Sequence, residues 1–172
     1  MVDPATLVIV HYPEPVLREV AKPVPEVNDH VRAVVAKMIE LMHAAPGVGL
    51  AAPQVGLPWR LFVANPEGEE GGPAQDRVYI NPEIVATTGG NVARDEGCLS
   101  LPQVTVEVVR PEQATIRALG LDGQPFEDSA DDLLARIWLH EYDHLDGVLI
   151  IDKMSTIDRM ANKRALRALE GA

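Results

Sequence analysis

The five residues His140-Glu141-Tyr142-Asp143-His144 place two imidazoles four positions apart, with a carboxylate directly after the first. On a helix this i, i+4 spacing puts both rings on one face, at a separation that suits two ligands of a tetrahedral metal ion. Glu141 then stands beside the ion, where it can take a proton from activated water and hand it to a leaving amine. Two buried histidines satisfied by hydrogen bonds would produce the same short pattern, so the surroundings must decide. A hydrolytic site of this kind needs a third protein ligand, which metzincin proteases supply downstream. Gly147 continues the pattern to H-E-x-x-H-x-x-G, but the position of the third histidine is Ile150, which cannot bind metal. A sulfur donor remains available at Cys98, the only cysteine, in Glu96-Gly97-Cys98-Leu99-Ser100. A lone cysteine is a packed core residue, a nucleophile or a ligand, and its neighbours choose between these.

These residues need elements to position them. Leu133, Ile137, His140 and His144 follow one another at +4, +3 and +4 steps, which predicts a helix with both imidazoles on its inward stripe. Ser129 with Asp132 three residues on reads as its start, and Gly147 as its end. An earlier amphipathic helix, capped by Asn28 or Asp29, carries Val31, Val34, Val35, Met38, Leu41 and Met42 and stops before Pro46-Gly47. A last helix starts at Ser155, with Asp158 in its first turn and Ile157, Met160, Leu166 and Leu169 as apolar positions. Trp59 to Ala64 and Arg77 to Ile80 read as strands around a solvated, mobile Gly- and Glu-rich loop from Pro66 to Asp76. Val104, Val106 and Val108, then Thr115 to Leu119, read as further strands, with Gly120-Leu121-Asp122-Gly123 as a turn. The fold class expected is α+β: small antiparallel sheets packed around a central metal-binding helix, flanked by an N-terminal and a C-terminal helix.

Length and composition set the frame. The 172 residues suit one domain, 1–172, and 47% hydrophobic residues with 24% charged are those of a chain that folds on its own. Fifteen Lys and Arg against 26 Asp and Glu leave a net charge of −11, which disfavours direct reading of nucleic acid and binding to an anionic membrane. No apolar run approaches the roughly 18 residues of a membrane span. Met1-Val2-Asp3-Pro4 does not open a secretory signal, so a cytoplasmic protein is expected.

Three separated motifs make the chain resemble the peptide deformylase family: GVGLAAPQ from Gly47 to Gln54, EGCLS from Glu96 to Ser100, and HEYDH from His140 to His144. The likeness extends over nearly the whole chain, including HYPEPVLR near the start and INPEI at Ile80 to Ile84. The resemblance implies removal of the N-terminal formyl group from N-formylmethionyl nascent peptides, giving formate and a free amine. It also implies a single divalent ion held by Cys98, His140 and His144, ferrous iron first, with zinc, nickel or cobalt as alternatives. Glu141 would be the general base and acid, and the Gln54 amide and the Leu99 backbone N–H would donate to the oxyanion.

Other positions follow less directly. Gly47 and Gly49, lacking Cβ, let the main chain approach an extended peptide, although Gly47 also reads as ordinary helix termination. Val48, Leu133 and Ile137 are offered as walls of the methionine pocket, with plain core as the alternative for each. Glu96 is expected to orient a ligand by accepting an imidazole N–H. Arg110 pairing with Asp143 would brace the helix; a surface position is the alternative. Two positions depart from the family pattern: Leu139, where glutamine is common, and Thr105, where an arginine or bulky residue is common. Neither is a ligand, base or oxyanion donor, so they bear on efficiency and substrate preference. Arg159, Lys163, Arg164 and Arg167 form a local positive cluster that a transient ribosome contact could use, with a solvated helix face as the alternative. A monomer is expected. The competing readings are a metallopeptidase cutting internal bonds, a catalytically weak or divergent relative, and a non-catalytic metal-bound relative with a structural or interaction role, the last weakened by the presence of Glu141 and Gln54.

Overall fold

A computed structural model describes residues 1–171. Asn28 accepts a hydrogen bond from Val31 N and so caps α1 (Asp29–Ala44), whose apolar stripe Val31, Val34, Val35, Met38 and Met42 is buried. A short β1 (Gly49–Ala51) follows, then a single 3-10 turn at Ala52–Val55 and β2 (Leu61–Ala64). The strand begins at Leu61, two residues later than Trp59, and all four of its residues are buried.

The sheet is larger than expected. β3 runs from Arg77 to Cys98 and β4 from Leu101 to Leu119, where short separate strands were predicted. Together with β5 (Pro125–Asp131) they form one five-stranded antiparallel sheet in sequence order β1-β2-β3-β4-β5. Residues 81–98 escape sequence reading because they pair along β4 with several register shifts and are largely exposed, so they carry no clean alternation. The turn at Gly120 to Gly123 joins β4 to β5, closed by Gly120 N on Gln124 O and Gly123 N on Gly120 O. The segment from Pro66 to Asp76 carries two 3-10 turns, and Asn65 Nδ2 ties it down by donating to Gly72 O and Asp76 Oδ1, each at 3.0 Å.

α2 spans Asp132–Leu145 and starts three residues later than predicted. Ser129 is not its cap: it lies in β5 opposite Thr115, and the two hydroxyls bond to each other at 2.8 Å. The ladder to β4 continues to Asp131, so inter-strand hydrogen bonds hold this backbone and a local cap has no role. The chain then turns abruptly at Asp132, φ +50°. At the other end α2 stops at Leu145, and Gly147 takes φ +72°, where a Cβ would lie 2.5 Å from Arg18 O.

Ser155 caps α3 (Thr156–Leu169) through Asp158 N, as its spacing predicts. Its inward face differs from the prediction. Leu166 and Leu169 pack on the core, but Ile157 and Met160 are exposed and the buried residue is Asn162. Asn162 Nδ2 donates to Thr105 O at 2.7 Å and its Oδ1 accepts from Thr105 N at 3.2 Å, so a side-chain amide seats the helix on β4. Three apolar clusters result: α1 on β1 and β2, α2 on the sheet with Trp138, Phe62 and Tyr79, and the C-terminal segment on Val104, Val106 and Val108.

Candidate metal centre

The β3–β4 hairpin turns through Leu99 and Ser100, with Cys98 paired to Leu101, and this puts the cysteine at the hairpin tip against α2. Trp138 and Leu145 anchor α2 in the core at zero exposure, which turns Ile137, His140, Glu141 and His144 toward the hairpin and β1. Cys98, His140 and His144 each offer a ligand atom, and these atoms lie within 4.8 Å of one another. Cys98 Sγ is 3.4 Å from His144 Nε2, and the two imidazole centroids are 5.2 Å apart. A tetrahedral ion with bonds of about 2.0 to 2.3 Å holds its ligands about 3.5 Å apart, so this donor set fits one ion after small adjustments.

The state of the rings agrees with that use. His140 Nδ1 lies 2.9 Å from Glu96 Oε1. An ionised carboxylate only accepts, so Nδ1 donates to it and Nε2 is the nitrogen left to face an ion. Burial opposes charge on His140, but hydrogen bonds to Cys98 and Glu96 outweigh it and raise its pKa well above the ordinary histidine value, so an ion binding at Nε2 would take the place of a proton there. Burial, then the neighbouring His140, push His144 well below that value, which leaves it a neutral donor. Its Nδ1 is buried with no hydrogen-bond partner among the described residues.

Glu96 is the anchor of the site. Its Oε1 accepts from His140 and from Arg110 Nη2 at 2.9 Å, and its Oε2 from Arg110 Nε at 2.7 Å and Arg136 Nη1 at 2.6 Å. Burial alone would raise its pKa; hydrogen bonds from His140 and Arg110 reverse this and pull it to about 2. Arg110 is buried and also donates to Asp143 Oδ2 at 2.9 Å, the brace that the sequence left open.

Glu141 is buried with Oε1 4.0 Å from His140 Nε2 and Oε2 unpartnered among the described residues. Burial, against the opposing charges of His140 and Arg110, pushes its pKa up to about 7, the range in which a carboxylate both accepts and returns a proton near neutrality. Gln54 is 1% exposed: its Oε1 accepts from Ala51 N at 2.9 Å, which aims Nε2 at Ser100 Oγ (3.2 Å) and Cys98 Sγ (3.5 Å).

Gln54, Glu96, Cys98, Arg136, His140 and Glu141 open onto one cleft of about 480 Å³. Gly47, Val48, Gly49, Leu133, Ile137 and Leu99 all line it. Leu133 is 42% and Val48 39% exposed, so both are cleft walls and not core; Ile137 is buried beneath them. The space explains both glycines. A Cβ at Gly49 would meet Glu141 Oε1 at 2.7 Å and Ile137 Cγ2 at 3.0 Å, and one at Gly47 would meet Leu99 Cδ1 at 2.7 Å. Thr105 is exposed at the cleft, whereas Leu139 packs half-buried with Trp138 in the cluster under the sheet.

Sequence reading missed Arg136, which is 8% exposed and lines the cleft. Its signal was a charged residue one turn before His140, on the face given to inward-facing side chains. It also passed over Ser100, fully buried beside Gln54, although the residue stands within EGCLS.

A family model described as polypeptide deformylase matches residues 6–160. Among curated relatives, the peptide deformylase of Acidobacterium capsulatum is 46% identical over 164 residues, covering 95% of each chain. That of Pseudomonas aeruginosa is 44% identical over 155 residues, covering 90% of each. Of solved structures, a plant peptide deformylase superposes with a TM-score of 0.93 at 40% identity, covering 99% of this chain and 92% of the other. The peptide deformylase of Legionella pneumophila gives 0.87 at 38% identity and 95% of each.

Proposed function

The chain belongs to the polypeptide deformylase family, and from that premise we infer how its own residues carry out the reaction. It is a metal-dependent hydrolase of protein biosynthesis that removes the formyl group from the N-terminus of formylated nascent peptides. The observation that carries the residue assignment is the convergence of Cys98, His140 and His144, at a cleft that Cys98, His140 and Glu141 line, with Glu141 Oε2 unpartnered among the described residues. Cys98, His140 and His144 would hold a divalent ion, which would supply Lewis acidity and lower the pKa of a bound water toward neutrality. Glu141 takes the proton from the attacking water while the water oxygen bonds to the formyl carbon. As the carbon–nitrogen bond breaks, Glu141 returns that proton to the leaving amine, and the products are formate and a free N-terminus. Gln54 Nε2, held at the cleft by Ala51 N on its oxygen, and the Leu99 N–H donate to the formyl oxygen as it gains charge. Val48, Leu133 and Ile137 receive the methionine side chain, and the Gly47 to Gly49 backbone lies along the peptide.

Ferrous iron is the ion proposed, from the family resemblance; zinc, nickel and cobalt also suit one thiolate and two imidazoles. If iron is the working metal, the iron-loaded protein should lose activity in air as metal and thiolate oxidise, and the nickel form should outlast it; equal aerobic half-lives would argue against ferrous iron as the labile component. The assay for the function is formate release from formyl-Met-Ala-Ser by metal-loaded protein, with the Cys98→Ala protein as control. Loss of metal and activity together in the variant supports the ligand set; stoichiometric metal in Cys98→Ala removes Cys98 from it.

The domain proposed is one catalytic unit over 1–172, acting as a monomer in the cytoplasm. Among the described residues no helix is long and apolar enough to cross a membrane. Ribosome contact is proposed through α3, whose Arg159, Lys163, Arg164 and Arg167 are all exposed on an acidic chain. Unchanged ribosome co-sedimentation after replacing these four with glutamate would remove that contact. Neither the internal-bond peptidase nor a weak or non-catalytic relative has an observation in its favour.

A further inference from the structure

We propose that Arg136 is a positioning residue for this reaction, holding the metal ligand His140 in place through Glu96. The inference rests on the metal-site assignment above. Arg136 stands four residues before His140 on α2, so the two side chains lie one above the other on the same face. Both reach the same carboxylate: Arg136 Nη1 donates to Glu96 Oε2 at 2.6 Å, and His140 Nδ1 to Oε1 at 2.9 Å. Glu96, on β3, is therefore a strut between two points of one helix face. Arg136 is itself fixed on the sheet, because Nη1 also donates to Val108 O at 3.1 Å and Nη2 to Val92 O at 2.7 Å. A planar fork held by acceptors on β3 and β4 has little freedom to turn, and it passes that constraint to the carboxylate.

Arg110 does not make Arg136 redundant. Arg110 comes from β4 and divides its donors between Glu96 and Asp143. A carboxylate has about four acceptor positions. Those of Glu96 take two bonds from Arg110, one from Arg136 and one from His140. Without Arg136, one position on Oε2 is left empty in a buried place, and the carboxylate can swing with the Arg110 fork toward Asp143. The hydrogen bond to His140 Nδ1 then slackens, and with it the aim of Nε2 at the ion. Charge argues the same way: Glu96 and Asp143 both face this region, and Arg136 is one of two buried guanidiniums among the described residues that offset them.

The test uses nickel-loaded protein and two readouts: the rate of nickel release into excess chelator, and kcat and KM on formyl-Met-Ala-Ser. Arg136→Met is expected to release nickel about 10-fold faster and to lose a similar factor in kcat, the range found when a ligand's hydrogen-bond partner is disturbed. Arg136→Lys keeps a charge for Glu96 but loses the fork to Val92 and Val108, and is expected to retain nickel better than Arg136→Met. In a Glu96→Gln background, Arg136→Met should add less than a twofold change, since its effect passes through Glu96. Nickel release within twofold of wild type, full additivity with Glu96→Gln, or Arg136→Lys no better than Arg136→Met would each overturn the proposal and leave Arg136 as a brace of α2. Should Arg136→Met not fold, Arg136→Gln is measured in the same way against the same limits. Wild-type protein that holds nickel but releases no formate would instead refute the deformylase reading, and the nickel-release comparison would still decide the role of Arg136.

Discussion

At the scale of single residues, the site assigns one task to Glu141 and leaves it little room. Its Oε2 has no hydrogen-bond partner among the described residues, and none of the three proposed ligand atoms belongs to it. Glu141→Gln should therefore keep full metal content while lowering kcat by about 10² to 10⁴, the contribution of a positioned general acid–base. Near-normal turnover at full metal content would assign the proton transfer elsewhere. Gly49 is the companion case. A Cβ there would lie 2.7 Å from Glu141 Oε1 and 3.0 Å from Ile137 Cγ2, so either the carboxylate or the cleft wall must move. Overpacking of this sort costs about 1 to 3 kcal/mol. Gly49→Ala should lower kcat/KM more than tenfold with metal retained; unchanged kinetics with a lowered Tm would show that β1 yields instead of Glu141.

At the scale of elements, the two serines that look alike as helix caps have different jobs, and stability measurements can tell them apart. Ser155 Oγ accepts from Asp158 N at 3.1 Å at the start of α3, whereas Ser129 Oγ bonds only across the sheet to Thr115. Ser155→Ala should cost about 1 kcal/mol, as the loss of a cap does. Ser129→Ala lies on an exposed strand face and should change stability by less than about 0.5 kcal/mol. Denaturant unfolding of both variants checks the pair, and a larger loss at Ser129 would show that it caps after all. The long hairpin matters for a different reason: its tip brings Cys98 within 3.4 Å of His144, 46 residues later in the chain. No local preference near Cys98 encodes that approach; the register of β3 on β4 does.

At the scale of the whole molecule, the beginning and end of the chain are joined by charge. Arg18 Nη1 lies 2.6 Å from Asp152 Oδ2, which also accepts from Leu149 N at 2.9 Å. Burial would raise the Asp152 pKa, but the hydrogen bonds from Arg18 and Leu149 outweigh it and hold the pKa below the ordinary aspartate value. A group lowered in the folded state adds stability above its unfolded pKa of about 3.9, and that stability is lost as pH falls through the lower folded value. Both side chains are about 40% exposed, so solvent screening keeps the contribution to about 1 kcal/mol or less. Asp152→Asn should lower Tm at pH 7, with a deficit that shrinks as pH falls below about 4; a deficit that stays constant would mean that packing, and not charge, holds the two segments.

Sequence alone indicated which residues could do the chemistry, because the proposed ligand pair and the proposed base lie within one helical turn, where spacing fixes which side chains share a face. His140, Glu141 and His144, the cap at Asn28, the cap at Ser155 and the turn at Gly120 to Gly123 are all local in this sense. The three motifs also sufficed for the family, since they are separate segments in a fixed order. Tertiary structure alone decided what depends on distant pairing. The Ser129 segment had a respectable capping pattern, yet β4 claimed its backbone as a strand. Ile157 and Met160 had helical spacing, yet α3 meets β4 through the amide of Asn162. Arg136 read as an odd charge on an inward stripe, and only the arrival of Glu96 on β3, with the carbonyls of Val92 and Val108, makes that charge satisfied. Helical periodicity reports which residues share a face; the partner that covers the face comes from elsewhere in the chain, and the hydrogen bonds that partner offers decide whether a buried charge is an error or an anchor.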